Sequence, residues 1–187
     1  LEQEGGAPSI HGVHNAEEEE EWGGARGEEE TTPLPPYEAG LFRAAAARAN
    51  YLAMDRPELA FSAKELCRRM SAPVERDLIA LRRLCQYLLA APRRVYHFQW
   101  QSSGLAIRVY ADTDFAGCPL SRRSTSGGCA MRGTHLLKHW SATQKAITLS
   151  SGEAELGGVV KAAGEGLGLQ SLLRDLGEDT TLELCAD

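Results

Sequence analysis

The sequence lacks several features that would assign it to a class at once. No apolar run approaches the roughly 18 residues that a membrane span needs, so no transmembrane helix is expected. The five cysteines are scattered, odd in number and without CxxC spacing, which argues against a disulfide framework or a structural zinc site. No targeting segment is visible. We therefore expect an intracellular protein, cytoplasmic or nuclear, whose reduced cysteines serve packing.

Positive charge is nearly absent from the start of the chain. Residues 1–30 contain ten acidic residues and one arginine, whereas residues 41–123 contain fourteen Lys or Arg and seven Asp or Glu. The first of these stretches, extended to 1–36, is also interrupted by glycine and proline, and it cannot bury enough apolar surface to offset the entropy of ordering. We predict a disordered acidic linker over 1–36, followed by a basic body that suits a polyanionic partner.

Residues 37–92 are predicted to be helical. Tyr37–Asn50 is rich in alanine, and apolar residues recur at helical spacing after Pro57 and again after Pro73. Proline is well placed as the first residue of a helix, and Pro92 ends the last stripe. This segment therefore forms a helical unit that precedes a differently patterned one.

Residues 93–187 change to alternating apolar residues separated by polar turns, which indicates strands. The predicted strands are Val95–Gln101, Leu105–Asp112, Gly128–Arg132, Leu136–Ser141 and Thr181–Asp187. The core order β-β-β-α-β implies an α+β (α/β-like) chain, with a mixed sheet and a helix packed against one face.

The helix of this second unit is predicted over 151–176, with Gly177 as its C-terminal stop. Its apolar side is expected to comprise Leu156, Val160, Ala163, Leu167, Leu172 and Leu176. Five internal glycines each weaken the helix by about 1 kcal/mol relative to alanine. Either its backbone lies very close to the sheet, or the helix is marginal.

Three carboxylates stand out beside this pattern. Ser150 followed three residues later by Glu153 is a capping box, so the Glu153 carboxylate is expected to bond to the Ser150 amide. Glu155 has no such structural role, and Asp112 and Asp187 each close a predicted strand. Two strand ends and a helix start, each with a carboxylate, form a candidate site for hard divalent cations.

A series of motifs between Tyr37 and Asp187 resembles copia-type LTR retrotransposon polyproteins, at the end of reverse transcriptase and the start of ribonuclease H. The motifs are Tyr51–Phe61 beside YLA..RPDIAF, Tyr110–Gly117 beside YSDADWAG, Arg122–Gly127 beside RKSTSG, Trp140–Glu155 beside W..KKQ…LSS.EAE, and Leu184–Asp187 beside LYCD. Each motif alone is modest, but their order and spacing make the set specific.

The resemblance implies a ribonuclease H-like domain over 93–187, truncated after its fourth core strand, with 37–92 as the end of reverse transcriptase. It implies hydrolysis of the RNA strand of RNA–DNA hybrids by two Mg²⁺ ions, or Mn²⁺, bound by Asp112, Glu155 and Asp187. The partners would be the hybrid and the remainder of the polyprotein, with no membrane. Because the family's fourth carboxylate would follow Asp187, the chain is expected to be cut from a longer polypeptide and inactive or weak alone.

Several alternatives remain open in the sequence. Asp114 would share a strand face with Asp112, but its place in a turn favours a structural role. The polar segment Arg122, Arg123, Ser124, Thr125 and Ser126 is predicted either to bind nucleic-acid phosphates and sugars or to form a plain hairpin turn. Trp100 and Trp140 are expected to pack rather than stack on bases. A non-catalytic nucleic-acid-binding fragment is the second functional class.

Overall fold

The computed structural model describes residues 32–102, 104–118 and 121–186. Most of the predicted acidic linker, residues 1–31, lies outside these ranges, as does Asp187. No helix within the described ranges is long and apolar enough to span a membrane. None of the five cysteines forms a disulfide there, and Cys85 is exposed rather than packed.

The first half of the described chain is helical, as predicted. Its elements are α1 (Pro36–Leu52), a 3₁₀ turn (Pro57–Leu59), α2 (Ala60–Arg68) and α3 (Glu75–Ala90). Pro57 is the first residue of the 3₁₀ turn, where its missing N–H costs nothing. Phe42 and Leu59 are each 1% exposed and lie in the centre of one apolar core. We call residues 33–91 the helical region.

The segment just before α1 is packed rather than free. The Leu34 amide donates to the Pro73 carbonyl at 3.0 Å, and the Glu75 amide donates to the Thr32 carbonyl at 3.1 Å. The Leu34 side chain is buried in the helical core. The packed chain thus begins at Thr32, four residues before the predicted linker boundary at residue 36.

Residues 107–185 form the sheet region. The described strands are β1 (Ile107–Asp114), β2 (Thr125–Arg132), β3 (His135–Thr143) and β4 (Leu182–Cys185), with α4 (Ser151–Asp175) before the last. Their order across the sheet is β3-β2-β1-β4. β2 is antiparallel to both β1 and β3, whereas β4 is parallel to β1. The predicted mixed sheet in a β-β-β-α-β order is confirmed.

The strand predicted over Val95–Gln101 is wrong. These residues, all described by the structure, form no ladder and are attached through side chains instead. Gln101 donates from Nε2 to the Arg132 carbonyl at 3.1 Å and accepts from the Thr134 amide at 2.8 Å. Aromatic and β-branched residues favour strands only where they pack on a surface, but Trp100 is 97% exposed. Its prediction as a packing residue is therefore also wrong.

Both predicted ends of α4 are confirmed, with one difference. Ser150 Oγ accepts from the Glu153 amide at 3.2 Å, but the Glu153 carboxylate accepts from Leu149, one residue earlier than expected, at 2.7 Å. At the other end Gly177 has φ of 85°, and the Glu178 amide reaches back to a carbonyl of the last turn. A left-handed residue after the last turn favours glycine.

The predicted apolar side of α4 is wrong, because most of its large residues face outward. Leu156, Val160 and Leu167 are 63%, 65% and 57% exposed, and Leu172 and Leu176 are also exposed. The residues buried against the sheet are small ones: Ala154, Gly158, Ala162 and Gly166. A Cβ on Gly166 would lie 2.6 Å from Leu182 Cδ1, so the helix backbone lies directly on the sheet. The sheet's own side chains fill the space that the leucines were expected to fill.

Candidate functional site

Asp112 lies on the face of β1 that points away from α4. Burial alternates along the strand, with Val109 and Thr113 buried beneath the helix and Asp112 exposed on the opposite side. This opposite face opens into a cleft of about 880 Å³ between the sheet and the 3₁₀ turn of the helical region. The cleft is lined by Glu58, Tyr110, Asp112, Asp114, Cys185 and Ala186, among others.

The two β1 carboxylates in the cleft differ in their surroundings. Asp112 Oδ1 accepts a hydrogen bond from the Thr113 amide at 2.7 Å, which orients the carboxylate at the strand end. The Asp114 carboxylate folds back against Gly117, where any larger residue would collide with it. This placement favours the predicted structural role of Asp114 in the turn and leaves Asp112 as the better candidate ligand.

Glu155 is half-buried in the first turns of α4 and is not among the described residues that line the cleft. Its position is set by Gly158, which packs directly on the Thr113 side chain. Asp112 precedes Thr113 by one residue, and Glu155 precedes Gly158 by about one helical turn. The structure thus brings the two candidates to the same end of the sheet, though they are carried on different faces.

The third candidate, Asp187, lies outside the described residues. The parallel ladder between β1 and β4 ends at Tyr110 paired with Cys185, and Cys185 and Ala186 line the cleft. Within the described residues, no group of three or more His, Cys, Asp or Glu side chains is placed to bind one metal ion. The predicted triad therefore remains a prediction.

Gln144 is a positioning residue that the sequence did not identify. Its side-chain amide donates to Ser126 Oγ at 2.9 Å and to the Ala154 carbonyl at 2.8 Å. These bonds tie the start of α4 to β2 and so fix where Glu155 lies. Gln144 belongs to the Trp140–Glu155 motif, but no spacing rule assigns a glutamine after a strand to this contact.

The polar segment after β1 is divided between exposed arginines and buried hydroxyls. Arg122 and Arg123 are exposed, whereas Ser124, Thr125 and Ser126 are buried. Ser124 is hydrogen-bonded to Thr148 at 3.0 Å, and Thr125 accepts from Lys64 at 3.0 Å. The hydroxyls thus have partners within the protein, and the exposed groups of this segment are the two guanidinium groups.

Glu58 is a cleft carboxylate that the sequence did not single out. Burial alone would raise its pKa, but a hydrogen bond from its own backbone and the Arg56 guanidinium outweigh burial and lower the pKa. Arg56 Nε donates to Glu58 Oε1 at 2.8 Å. Glu58 is therefore a charged group at the cleft wall, paired with an arginine.

A mixed α+β domain with carboxylates at adjoining strand ends is the class that this geometry defines. The chain is 34% and 33% identical over 127 residues to the retrovirus-related Pol polyproteins from transposons RE1 and RE2 of Arabidopsis thaliana, matches that cover 68% of this chain and 9% of each polyprotein. It is 31% identical over 127 residues to the uncharacterized mitochondrial protein AtMg00810 of the same plant, covering 66% of this chain and 51% of that protein. No family model matches the chain, and no solved structure matches it significantly.

The chain therefore belongs to the family of copia-type retrotransposon polyproteins. The match spans about half the length of the mitochondrial relative and a small part of the polyproteins. The resemblance that the motifs suggested is confirmed at the level of this family.

Proposed function

We propose that the sheet region is a ribonuclease H-like domain that hydrolyses the RNA strand of RNA–DNA hybrids within the complete polyprotein. The observation that supports it is the convergence of β1, β4 and α4. Asp112 lies two residues beyond the last ladder pair in β1, and Asp187 follows Cys185, the β4 member of that pair, by two residues in sequence. Glu155 lies one turn before the helix–strand contact next to Asp112.

The donor groups at this sheet end suit Mg²⁺ or Mn²⁺, because carboxylate oxygens are the ligands that hard divalent cations prefer. Asp112, Glu155 and Asp187 would bind the ions. When bound, the metal would stabilise charge on the attacking and leaving oxygens of the phosphodiester.

The remaining residues of the site serve positioning and substrate binding in this proposal. The Thr113 amide orients the Asp112 carboxylate, and Gln144 fixes the first turn of α4 that carries Glu155. The exposed Arg122 and Arg123 would contact backbone phosphates, which sets the register of a nucleic acid without reading its sequence.

Metal uptake by this chain tests the proposal. We expect Mn²⁺, titrated by electron paramagnetic resonance, to bind the wild type at least about tenfold more tightly than Asp112→Asn, because a carboxylate ligand is lost. Asp179→Asn is the matched control, since this aspartate is 96% exposed and remote from the cleft. Uptake that does not depend on Asp112 contradicts the proposal.

Activity gives the second readout. Any cleavage of an RNA strand labelled within an RNA–DNA hybrid should require Mg²⁺ or Mn²⁺ and disappear in Asp112→Asn. Metal-independent cleavage, or cleavage retained in this variant, contradicts the assignment of Asp112.

A non-catalytic nucleic-acid-binding role is the second candidate. It is favoured by the lack of a three-ligand cluster within the described residues, beside the exposed Arg122 and Arg123. Hybrid binding that is unchanged by Asp112→Asn, together with no carboxylate-dependent metal uptake, would select this role over the nuclease.

A further inference from the structure

A long acid-free run links the two regions of the protein. From Leu78 to Ala111 the sequence contains no Asp or Glu and five arginines: Arg82, Arg83, Arg93, Arg94 and Arg108. Within it, residues 93–101 form neither helix nor strand. We call Arg93–Gln101 the aromatic segment, and its charge is purely basic.

The aromatic segment exposes three rings at alternate positions. Trp100 is 97% exposed, Phe98 is 65% exposed and Tyr96 is 45% exposed. Exposed apolar residues scattered singly are ordinary, but three aromatic rings within five residues form a contiguous surface. The proposed nuclease site does not use any of them.

The backbone of the segment is held at several points, so the rings do not lie on a free chain. Arg94 Nη2 donates to the Tyr87 hydroxyl at 3.0 Å, and the Tyr96 hydroxyl lies 3.4 Å from Glu58 Oε2. His135 contacts the Gln99 carbonyl at 2.8 Å. A surface fixed before binding loses less conformational entropy when a ligand binds.

The position of the fixed points leaves Trp100 outward. Gln99 and Gln101, its two neighbours, are both bonded to the β2–β3 hairpin. The Phe98 ring packs edge-to-face on His135 with ring centroids 5.2 Å apart, while most of the ring remains exposed. The nearest described carboxylate contact, Glu58, is neutralised by Arg56 at 2.7 Å and does not repel a polyanion strongly.

We propose that the aromatic segment is a binding site for single-stranded nucleic acid, in which unpaired bases stack on Trp100 and Phe98 and phosphates meet Arg93 and Arg94. Aromatic rings beside arginines are the combination that binds single strands with little sequence preference, because every base has a stacking face. Paired bases inside a duplex do not offer that face. The site requires neither a metal ion nor Asp112, so it does not rest on the proposed nuclease activity.

Fluorescence anisotropy with a labelled single-stranded oligonucleotide of mixed sequence tests the site on the whole chain. We expect Trp100→Ala to weaken binding about tenfold, as the loss of one stacking contact does. Trp100→Phe should retain most of the affinity. Tyr51→Ala is the matched control, since Tyr51 is 73% exposed in α1, outside the segment, and should bind as the wild type does.

The salt dependence separates stacking from charge. Arg93→Gln should lower the slope of log affinity against log salt by about one, whereas Trp100→Ala should leave this slope unchanged. Asp112→Asn should bind the single strand normally, so failure of the nuclease proposal would not affect this result.

Three outcomes would overturn the site. One is equal loss of affinity in Trp100→Ala and Tyr51→Ala, and another is equally tight, Trp100-dependent binding of a blunt duplex. The third is Trp100-dependent binding to anionic lipid vesicles with none to the oligonucleotide, which would assign the segment to a membrane surface instead.

Discussion

The helical region and the sheet region are stabilised in different ways. Ten buried residues form the helical core, and Phe42, Leu59, Leu66 and Leu84 supply large side chains. Only four residues within the described sheet region are buried in its core, and two of these are Ala130 and Ala162. The sheet region depends on backbone ladders and on the close approach of α4, whereas the helical region depends on filling space with side chains.

This difference teaches where each region tolerates change. A helical core loses stability when volume is removed, because a cavity is left. A closely approached sheet and helix lose stability when volume is added, because backbone atoms have nowhere to move. The same protein should therefore respond in opposite directions to added and removed methyl groups.

Removing volume from the helical core should have the largest effect. We expect Phe42→Ala to lower the free energy of unfolding by about 3–5 kcal/mol in urea titrations, since the ring is 1% exposed. Its neighbour Leu41 is 56% exposed, and Leu41→Ala should change stability by less than about 0.5 kcal/mol. Similar losses in both variants would show that the helical core is not packed as described.

Adding one methyl group to the sheet should have an intermediate effect that depends on position. A Cβ on Gly128 would lie 2.6 Å from the Tyr110 carbonyl oxygen and also meet the Trp140 ring, so Gly128→Ala should cost about 1–3 kcal/mol. At the adjacent Gly127 the nearest atom is 3.9 Å away, and Gly127→Ala should stabilise by about 0.5 kcal/mol. Equal effects of the two substitutions in urea titrations would contradict the close packing at Gly128.

The smallest effect should come from an ion pair between β3 and α4. Lys138 Nζ lies 2.6 Å from Glu165 Oε2, and this contact lowers the pKa of Glu165 below its ordinary value of 4.5 in spite of partial burial. A lowered pKa in the folded state gives stability that is present above pH 4.5 and lost as the pH falls through the folded value. Glu165→Gln should therefore cost about 0.5 kcal/mol at neutral pH and nothing at about pH 3.

The control for this pH dependence is Asp179→Asn, because that side chain is 96% exposed. Thermal unfolding of both variants between acidic and neutral pH measures the difference. A gap between Glu165→Gln and wild type that widens toward acid would show that the ion pair is not the cause.

Local signals predicted the elements that local contacts determine. The start of α4 at Ser150 and its end at Gly177 follow from capping bonds within a few residues, and both were predicted correctly. The capping partner of Glu153 was misplaced by one residue, because the side chain can reach either of two neighbouring amides. The β-β-β-α-β order also follows from local patterning and turns.

Predictions failed where the answer depended on what lies opposite. Val95–Gln101 has the composition of a strand but no neighbouring strand to pair with among the described residues. The hydroxyls of Ser124 and Thr125 were expected at a ligand surface, but Thr148 and Lys64, distant in sequence, take them as partners. Neither partner can be read from the segment itself.

By itself the sequence determined the family, the order of elements and the candidate carboxylates, because motif order, periodicity and caps are properties of neighbouring residues. Only the tertiary structure decided which side of α4 is buried. The helix offers a leucine side and a small-residue side, and the small side was chosen because Val109 and Leu182 already occupy the space above the sheet. Packing is a property of two surfaces at once, and a single sequence segment specifies only one of them.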